Sequence, residues 1–234
     1  MNVYIQKNND TGMPHHFDAA CAYYGACDLN YKVKLVSYED VVSGKYDLLI
    51  RNHLFVGSVE FMTAVFERVG CFPEKLPNND REVFSTLGEV RERISNGEKL
   101  FVKPRKIKLF TGTVYDKYFI SSLDEYPDDL GVIVDEPFKS PILAEWRVYV
   151  RDGVMEDSRS YLGEHTQHFN IDYVQSVVAK FKDIARCFTC DIAILEDGTN
   201  ICVELNDMWA IGNYGMDNEL YVKMLKARYF EIVK

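Results

Sequence analysis

The sequence predicts an α+β fold, and three observations support this prediction. Strand-like and helix-like segments alternate over the first 70 residues, the middle of the chain is mostly β in pattern, and two Asp-Gly dipeptides each join alternating apolar runs. The chain has 234 residues, of which 47% are hydrophobic, an ordinary composition for a globular protein. A chain of this length buries a large core.

The first 75 residues read as a small α/β unit, because strands separated by helical patterns are typical of such units. Gly70 stands where a left-handed residue would end the last helix of the unit. The predicted elements are a strand at 2–6, a helix at about 15–27, strands at 31–37 and 47–51, and a helix at about 58–69.

A turn-like stretch with Pro73 and Pro77 separates this unit from the rest of the chain and indicates a boundary. Mostly β patterns follow, and helices return later, where Asn170 is a natural N-cap. The predicted elements are helices at about 81–95, 171–187 and 218–233, and strands at 99–103, near 109–114, at 131–135 and at 143–151.

The charge of the chain limits its partners. With 27 Lys and Arg against 36 Asp and Glu, the formal net charge is −9, which argues against general binding to nucleic acids or to anionic membranes. No apolar run approaches the roughly 18 residues of a membrane span, and the N-terminal segment lacks the layout of a signal peptide. We therefore expect a soluble, cytoplasmic protein.

The segment CDIAILEDGTNICVELND predicts a β-hairpin with Asp-Gly at its turn. A two-residue turn places Asp191 opposite Glu204, with Cβ atoms roughly 4.5–5.5 Å apart, where two carboxylates repel unless a cation neutralises them. Asn206 shares their face and adds a neutral oxygen, and such an all-oxygen set suits Mg²⁺. In the alternative interpretation, one carboxylate pairs with a nearby Arg or Lys, or is protonated.

In this register one face of the hairpin is core and the other faces a site. The predicted core face comprises Ile192, Ile194, Ile201, Val203 and Leu205, and the predicted site face comprises Asp191, Ala193, Leu195, Asn200, Cys202, Glu204 and Asn206.

A second hairpin is indicated by Asp152-Gly153 in the segment EWRVYVRDGVM. Because side chains alternate along a strand, Glu145 and Arg147 share one of its faces. Taken alone, this segment would be interpreted as an exposed, ion-paired ribbon.

The stretch KLFVKPRKIK, residues 99–108, has five cations and no anion in an otherwise acidic chain, and this indicates a local anion such as a phosphate. Lys103 stands at the end of a predicted strand, and the downstream segment 111–113 offers backbone and hydroxyl donors. A solvated basic loop and an RNA-contacting patch are the alternatives.

Together and in this order, FVKP, VDEPF followed by EWRVYV, and DIAILEDGTNICVELND resemble the ATP-grasp superfamily. The segment VELNDMWAIGNYG resembles the short ATP-grasp proteins that are frequent in phages and bacteria. The resemblance covers roughly residues 76–216. It implies an ATP-grasp fold with a reduced N-terminal α/β domain at 1–75, a central subdomain at 76–132, and a C-terminal subdomain with the metal site at 133–234.

The resemblance also implies roles for individual residues. Lys103 would contact the nucleotide phosphates, and Lys106 and Lys108 would replace the family's glycine-rich loop electrostatically. Arg147 would face the phosphates or the reacting carboxylate. The remaining assignments are Glu136, Pro137 and Phe138 for adenine, Glu145 for ribose, Asp191, Glu204 and Asn206 for magnesium, and Trp209, Asn213, Tyr214 and Gly215 for the acceptor substrate.

The function implied by the resemblance is ATP-dependent ligation of a carboxylate to an amine through an acylphosphate, with ATP and Mg²⁺ as cofactors. The substrates would be small molecules or peptides, and neither a membrane nor nucleic acid is expected as a partner. Two alternatives remain: a kinase with the same nucleotide site, and a non-catalytic binding module that uses the basic segment 99–108.

Overall fold

The structure is a computed structural model that describes residues 1–74, 76–77, 83–105 and 109–234. The chain forms two compact units, the first made of residues 1–77 and 142–234 and the second of residues 78–141. The division into domains at 1–75, 76–132 and 133–234 stays a prediction.

The N-terminal part of the first unit is a three-stranded parallel sheet with helices. The sheet has the order β2-β1-β3, and the buried Val3, Tyr4 and Ile5 place the central strand in the core. The elements are β1 (Asn2–Gln6), α1 (Phe17–Asp28), β2 (Lys32–Val36), α2 (Tyr38–Val42), α3 (Asp47–Ile50), β3 (Leu54–Val56) and α4 (Val59–Val69).

Local signals set the ends of α4. Ser58 caps its first turn by accepting a hydrogen bond from Phe61 N at 3.2 Å, and Gly70 follows its last turn with φ +65°, as predicted. The predicted strand at 47–51 is wrong, because this segment forms the short helix α3. The third strand is instead β3, whose residues are all buried beside β1.

The second unit is a four-stranded antiparallel sheet of order β4-β7-β5-β6, with one helix over its core. Its elements are β4 (Val83–Thr86), α5 (Leu87–Ser95), β5 (Leu100–Pro104), β6 (Thr113–Tyr115) and β7 (Gly131–Asp135). The predicted helix at 81–95 starts too early, because Thr86 and Glu89 form a capping box that begins the helix at Leu87.

The C-terminal part of the first unit is an antiparallel sheet of order β11-β10-β8-β9. Its elements are β8 (Ile142–Arg151), β9 (Val154–Gly163), α6 (Ile171–Phe181), β10 (Cys187–Leu195), β11 (Asn200–Asp207) and α7 (Asn218–Ile232). The predicted helix at 171–187 ends at Phe181, and Cys187 already pairs with Arg151 in the sheet. No helix among the described residues is long and apolar enough to cross a membrane.

The two Asp-Gly turns differ in length. Asp152 and Gly153 form the predicted two-residue turn, with φ of +50° and +74°. At the other hairpin the predicted two-residue turn is wrong: Leu195 N donates to Thr199 O at 2.9 Å, so the loop has three residues and ends on Gly198 with φ +83°.

A β-bulge in β11 restores the predicted register beyond this longer turn. Ile192 pairs with Cys202, whereas Asp191 pairs with Glu204, so Val203 is the extra residue. The predicted pairing of Asp191 with Glu204 is therefore confirmed. The predicted faces are wrong on the turn side of the bulge, where Cys202 packs in the core cluster that includes Ile192 and α6 rather than on the site face.

Candidate active site

The centre of the candidate site is a buried ion pair between neighbouring strands. Arg147 on β8 lies opposite Asp191 on β10, and its Nε and Nη2 donate to Asp191 Oδ1 and Oδ2 at 2.8 and 2.6 Å. The two residues are 6% and 1% exposed. Such a bidentate pair fixes the orientation of both side chains. At Asp191 the structure therefore realises the alternative in which a carboxylate of the hairpin pairs with an arginine.

Glu204 and Asn206 extend this group from the strand on the other side of β10. Glu204 lies opposite Asp191, and both Glu204 and Asn206 are half-buried. Nδ2 of Asn206 donates to Glu204 Oε1 at 2.9 Å and to Asp191 Oδ2 at 3.4 Å. The structure thus brings the three predicted metal ligands together beside Arg147.

The environment of Asp191 penalises its negative charge. Burial raises the pKa of Asp191, the hydrogen bonds and charge of Arg147 oppose this, and the charges of Glu204 and Glu145 raise the pKa further. The net pKa lies above the ordinary value because desolvation and the neighbouring carboxylates outweigh the single guanidinium. A further cation between Asp191 and Glu204 would favour the ionised form of both groups.

The donor set fits a magnesium ion. Among the described residues no group of three or more His, Cys, Asp or Glu side chains is gathered for a metal. Two carboxylates and one amide nevertheless form an all-oxygen set, and Mg²⁺ takes few protein ligands and keeps several waters. Because each carboxylate oxygen has two lone pairs, the contact between Asp191 and Arg147 leaves acceptor capacity toward Glu204.

Glu145, predicted to contact ribose, lies on the same strand two residues before Arg147. The hydroxyl of Tyr161 on β9 donates to its carboxylate. A register shift opposite Glu145 makes Tyr161 the extra residue of β9. The hydrogen bond from Tyr161 fixes the orientation of a carboxylate that is half-buried in the sheet.

The predicted acceptor segment lies against the same arginine. The rings of Tyr214 and Tyr161 stack with centroids 5.0 Å apart, and the Arg147 guanidinium lies 4.8 Å from the centroid of the Tyr214 ring. Tyr149, two residues after Arg147, holds this segment through its hydroxyl, which donates to Gly212 O at 2.7 Å and to the next carbonyl oxygen at 2.9 Å.

Asn213 connects this segment to the N-terminal part of the same unit. Its backbone N–H donates to Asp18 Oδ1 at 2.7 Å, although the two residues are 195 positions apart. The side-chain Oδ1 of Asn213 accepts from Gly215 N at 2.8 Å. Asn213 is 1% exposed, whereas Tyr214 and Gly215 are exposed.

A cavity of about 250 Å³ lies where the N-terminal sheet meets the segment around Trp209. Ends of parallel strands are common places for ligands, and the end of β3 lines this cavity. Its polar walls come from His16, Asp18 and Ser58, and its apolar walls include Trp209 and Ile211.

The second unit contains the predicted phosphate lysine. Lys103 lies on β5 and pairs with Ile133 of β7. Gly112 approaches its backbone closely, since a Cβ at Gly112 would lie 2.9 Å from Lys103 Cβ and 2.9 Å from Phe101 Cζ. Only glycine fits there without a shift of its neighbours. Lys106 and Lys108 lie outside the described residues.

The predicted adenine segment follows β7 in the same unit. Glu136 is exposed, and its backbone N–H donates to Asp135 Oδ1 at 2.8 Å. Pro137 and Phe138 are half-buried. The roles assigned to these residues and to Lys103 stay predictions.

Sequence reasoning missed three residues of the first unit that bear on the site. Asp18 looks like an ordinary acidic residue in the first turn of α1, and no local pattern indicates its contact with Asn213. Tyr161 reaches Glu145 only because β9 is bulged. Thr189 could have been found, because it precedes Asp191 by two positions on the same strand and therefore shares its face.

Comparison with known proteins places these features in a family. A family model described as an ATP-grasp domain, the second family of its clade, matches residues 79–224, more than half of the chain. No curated protein sequence matches the chain.

Solved structures share its fold at low sequence identity. The RimK domain ATP-grasp protein from Sphaerobacter thermophilus has a TM-score of 0.60 at 10% identity, with 96% of this chain and 99% of that chain covered. The ATP-grasp ligase PsnB, complexed with precursor peptide PsnA2 and AMPPNP, has a TM-score of 0.54 at 12% identity, with 100% and 97% covered. D-alanine–D-alanine ligase from Bacillus anthracis, complexed with ATP, has a TM-score of 0.52 at 14% identity, with 99% and 97% covered.

At these identities the solved structures establish the fold alone, and the family match carries the assignment further. The chain belongs to this family of ATP-grasp domains, which confirms the predicted superfamily, the predicted fold and the predicted class of enzyme, an ATP-dependent ligase with ATP and Mg²⁺ as cofactors.

Proposed function

We propose that the protein is a carboxylate–amine ligase that forms an amide through an acylphosphate. The observation that supports this most is the group of Asp191, Glu204, Asn206 and Arg147 on neighbouring strands of an ATP-grasp chain. It combines an all-oxygen donor set with a fixed guanidinium, which phosphoryl transfer to a carboxylate needs. Among the structural neighbours, D-alanine–D-alanine ligase and PsnB are named as ligases.

In the proposed reaction, a carboxylate oxygen of the substrate attacks the γ-phosphorus of ATP, and the bond to the ADP oxygen breaks. The nitrogen of the amine then attacks the acyl carbon, and phosphate leaves as the amide forms. Both steps place negative charge on oxygen atoms, so fixed positive charge lowers their barriers.

The metal ligands in this proposal are Asp191, Glu204 and Asn206. Bound there, Mg²⁺ would supply positive charge to phosphate oxygens. Arg147 holds Asp191 in place through two hydrogen bonds, and its guanidinium is the proposed partner of the phosphates or of the reacting carboxylate. Burial keeps water away from this pair.

The nucleotide contacts are assigned within each compact unit separately. In the second unit, Lys103 would bind the phosphates, and backbone groups of 136–138 would bind the adenine edge. In the first unit, Glu145 would accept hydrogen bonds from the ribose hydroxyls. The fixed orientation of Glu145, whose carboxylate accepts from Tyr161, supports its role.

The acceptor substrate would bind around Trp209 and the segment 213–215. The cavity beside Trp209 supports this assignment, since about 250 Å³ suits a small molecule or the end of a peptide. Tyr214 supports it too, because the ring is exposed and lies against Arg147. A cytoplasmic location belongs to the same proposal, since ATP is the cofactor.

A screen of carboxylate and amine pairs for ADP release with Mg²⁺ tests the proposal, followed by mass spectrometry of any active pair. We expect ADP and phosphate to form only when both substrates are present, together with a product equal in mass to the two substrates minus water. A phosphorylated acceptor in place of an amide would show a kinase instead.

A further inference from the structure

The hydroxyl of Thr189 is buried beside the candidate metal ligands without a hydrogen-bond partner. Thr189 on β10 is 0% exposed, and its Oγ1 and His53 Nδ1 are the buried side-chain atoms without a partner among the described residues. Thr189 lies directly opposite Asn206 of β11 and opposite Tyr149 of β8. It therefore occupies the site face of the sheet, two positions from Asp191.

A buried hydroxyl without a partner is costly and uncommon in folded proteins. Neighbouring groups do not satisfy this one, since the hydroxyl of Tyr149 donates to the carbonyl oxygens of Gly212 and Asn213. The amide nitrogen of Asn206 is directed at Glu204 and Asp191. The hydroxyl is thus available for a bond that the observed side-chain orientations do not make.

Cation binding at this site requires a different orientation of Asn206. In the structure its Nδ2 faces the two carboxylates, but a cation between them needs the amide oxygen on that side, because an amide nitrogen is not a ligand for Mg²⁺. A half-turn of the amide group exchanges the oxygen and the nitrogen. Nδ2 then points away from Asp191 and Glu204, and as a donor it needs an acceptor there.

We propose that Thr189 is a positioning residue for the metal site, and that its Oγ1 accepts a hydrogen bond from Nδ2 of Asn206 when Oδ1 faces the metal. Directly opposed residues have Cβ atoms roughly 4.5–5.5 Å apart, a distance that a hydroxyl and an amide side chain span together. Groups that orient a metal ligand in this way typically contribute about 10-fold to 100-fold in metal affinity. The inference rests on the metal ligands of the proposed function.

The test compares Thr189→Val with Thr189→Ser in the full-length chain. Mn²⁺ is titrated in the presence of ADP, and free Mn²⁺ is measured by electron paramagnetic resonance. We expect Thr189→Val, which keeps the shape of the side chain but removes the hydroxyl, to weaken Mn²⁺ binding about tenfold. Thr189→Ser keeps the hydroxyl, so we expect Mn²⁺ affinity within about threefold of the wild type, well short of the loss typical of a missing orienting group.

Urea unfolding in EDTA gives a second readout with the opposite sign. Because Thr189→Val removes an unsatisfied buried hydroxyl, the unfolding midpoint should equal or exceed that of the wild type. A hydroxyl with a purely structural hydrogen bond would instead lower the midpoint when removed.

The outcomes separate this inference from the proposed function. If the wild type retains Mn²⁺ with ADP and both variants retain it equally well, the role of Thr189 is disproved while the metal site stands. The role is also disproved if Thr189→Ser loses as much affinity as Thr189→Val. If the wild type itself retains no Mn²⁺, the proposed metal ligands are wrong, and the role of Thr189 fails with them.

Discussion

Arg147 and Asp191 lie opposite each other on neighbouring strands and form two hydrogen bonds inside the protein, at 2.8 and 2.6 Å. Removing one partner of such a buried pair leaves an uncompensated charge, at a cost of about 3–5 kcal/mol. We therefore expect Arg147→Met to lower the free energy of unfolding by that amount, measured by urea denaturation at neutral pH.

Two further variants show whether burial of the charge is the cause. The double variant Arg147→Met with Asp191→Asn removes the stranded charge and should regain part of the loss. Arg186→Met breaks the pair of Arg186 with Asp152, whose side chains are 49% and 54% exposed, and should cost at most about 1 kcal/mol. Equal losses at the buried and the exposed pair would contradict the interpretation.

Glu204 provides a direct test of the metal site. Glu204→Gln removes one of the two negative charges that face each other across β10 and β11 while keeping the shape of the side chain. We expect the variant to fold and to lose Mg²⁺-dependent ADP production by a factor on the order of a hundred or more. Circular dichroism and an ADP-release assay measure the two properties.

Glu196→Gln is the matched control, because Glu196 is exposed at the turn of the same hairpin. It makes the same chemical change and should leave ADP production unchanged. Normal ADP production by a folded Glu204→Gln protein would disprove the metal assignment.

Lys103 tests the phosphate site in the second unit. Lys103→Ala removes the cation at the end of β5, and we expect ATP turnover to fall by a factor on the order of a hundred, because fixed charge stabilises the transferring phosphoryl group. Lys99→Ala is the control: its side chain is 69% exposed, and its Nζ lies 3.8 Å from Asp116 Oδ2. If both variants lost activity equally, the effect would reflect the general charge of the basic segment and not a specific contact of Lys103.

Much of the fold follows from local signals, and its errors arise where those signals are short. Periodicity and caps predict β1, β7 and the start of α6, where Asn170 accepts hydrogen bonds from two backbone N–H groups. The sequence around Asp47–Ile50 has the apolar character of a strand, but four residues do not distinguish a strand from one helical turn. Packing against β1 decides that Leu54–Val56 forms the strand instead.

The predicted pairing of Asp191 with Glu204 rests on a turn that is one residue too short. The three-residue loop shifts the register by one position, and the bulge at Val203 shifts it back before Glu204. A bulge of this kind has no clear local signal in the sequence, so the faces of Ile201 and Cys202 could not be predicted.

The candidate site is predictable where it depends on strand periodicity and not where it depends on distant contacts. Alternation along β8 and β11 places Arg147, Glu204 and Asn206 on faces that the sequence determines. The contact of Asp18 with Asn213 joins residues far apart in the chain, so it follows only from tertiary packing.

Thiol reactivity provides a test of the core under β10. Cys187 is buried, and this burial raises the pKa of its thiol to about 12. Because the thiolate is the reactive form, iodoacetamide at a pH of about 8 should modify the exposed Cys27 but not Cys187 in the native protein. Mass spectrometry of peptides measures the two sites, and modification in urea shows that both thiols are intact.

The same pKa shift predicts how Cys187 affects stability as the pH rises. Between the ordinary thiol pKa of about 8.5 and the folded-state value of about 12, the folded state holds more protons than the unfolded state. The free energy of unfolding therefore falls with pH in this window. Cys187→Ala should reduce that slope in urea denaturation between pH values of about 8.5 and about 10.5. An unchanged slope would contradict the buried position of the thiol.

Asp18 tests whether the N-terminal part of the first unit supports the acceptor site. Its carboxylate accepts the N–H of Asn213, next to the exposed Tyr214. Loss of one charge-assisted hydrogen bond costs about 1.5–3 kcal/mol, so we expect Asp18→Ala to raise the KM for the acceptor by about tenfold or more and to leave stabilisation by Mg²⁺ and ADP unchanged. Asp10→Ala, at an exposed position in the same part of the chain, is the control. A loss of nucleotide binding in Asp18→Ala would mean that Asp18 supports the whole fold of the unit, because its contact with Asn213 alone cannot account for that effect.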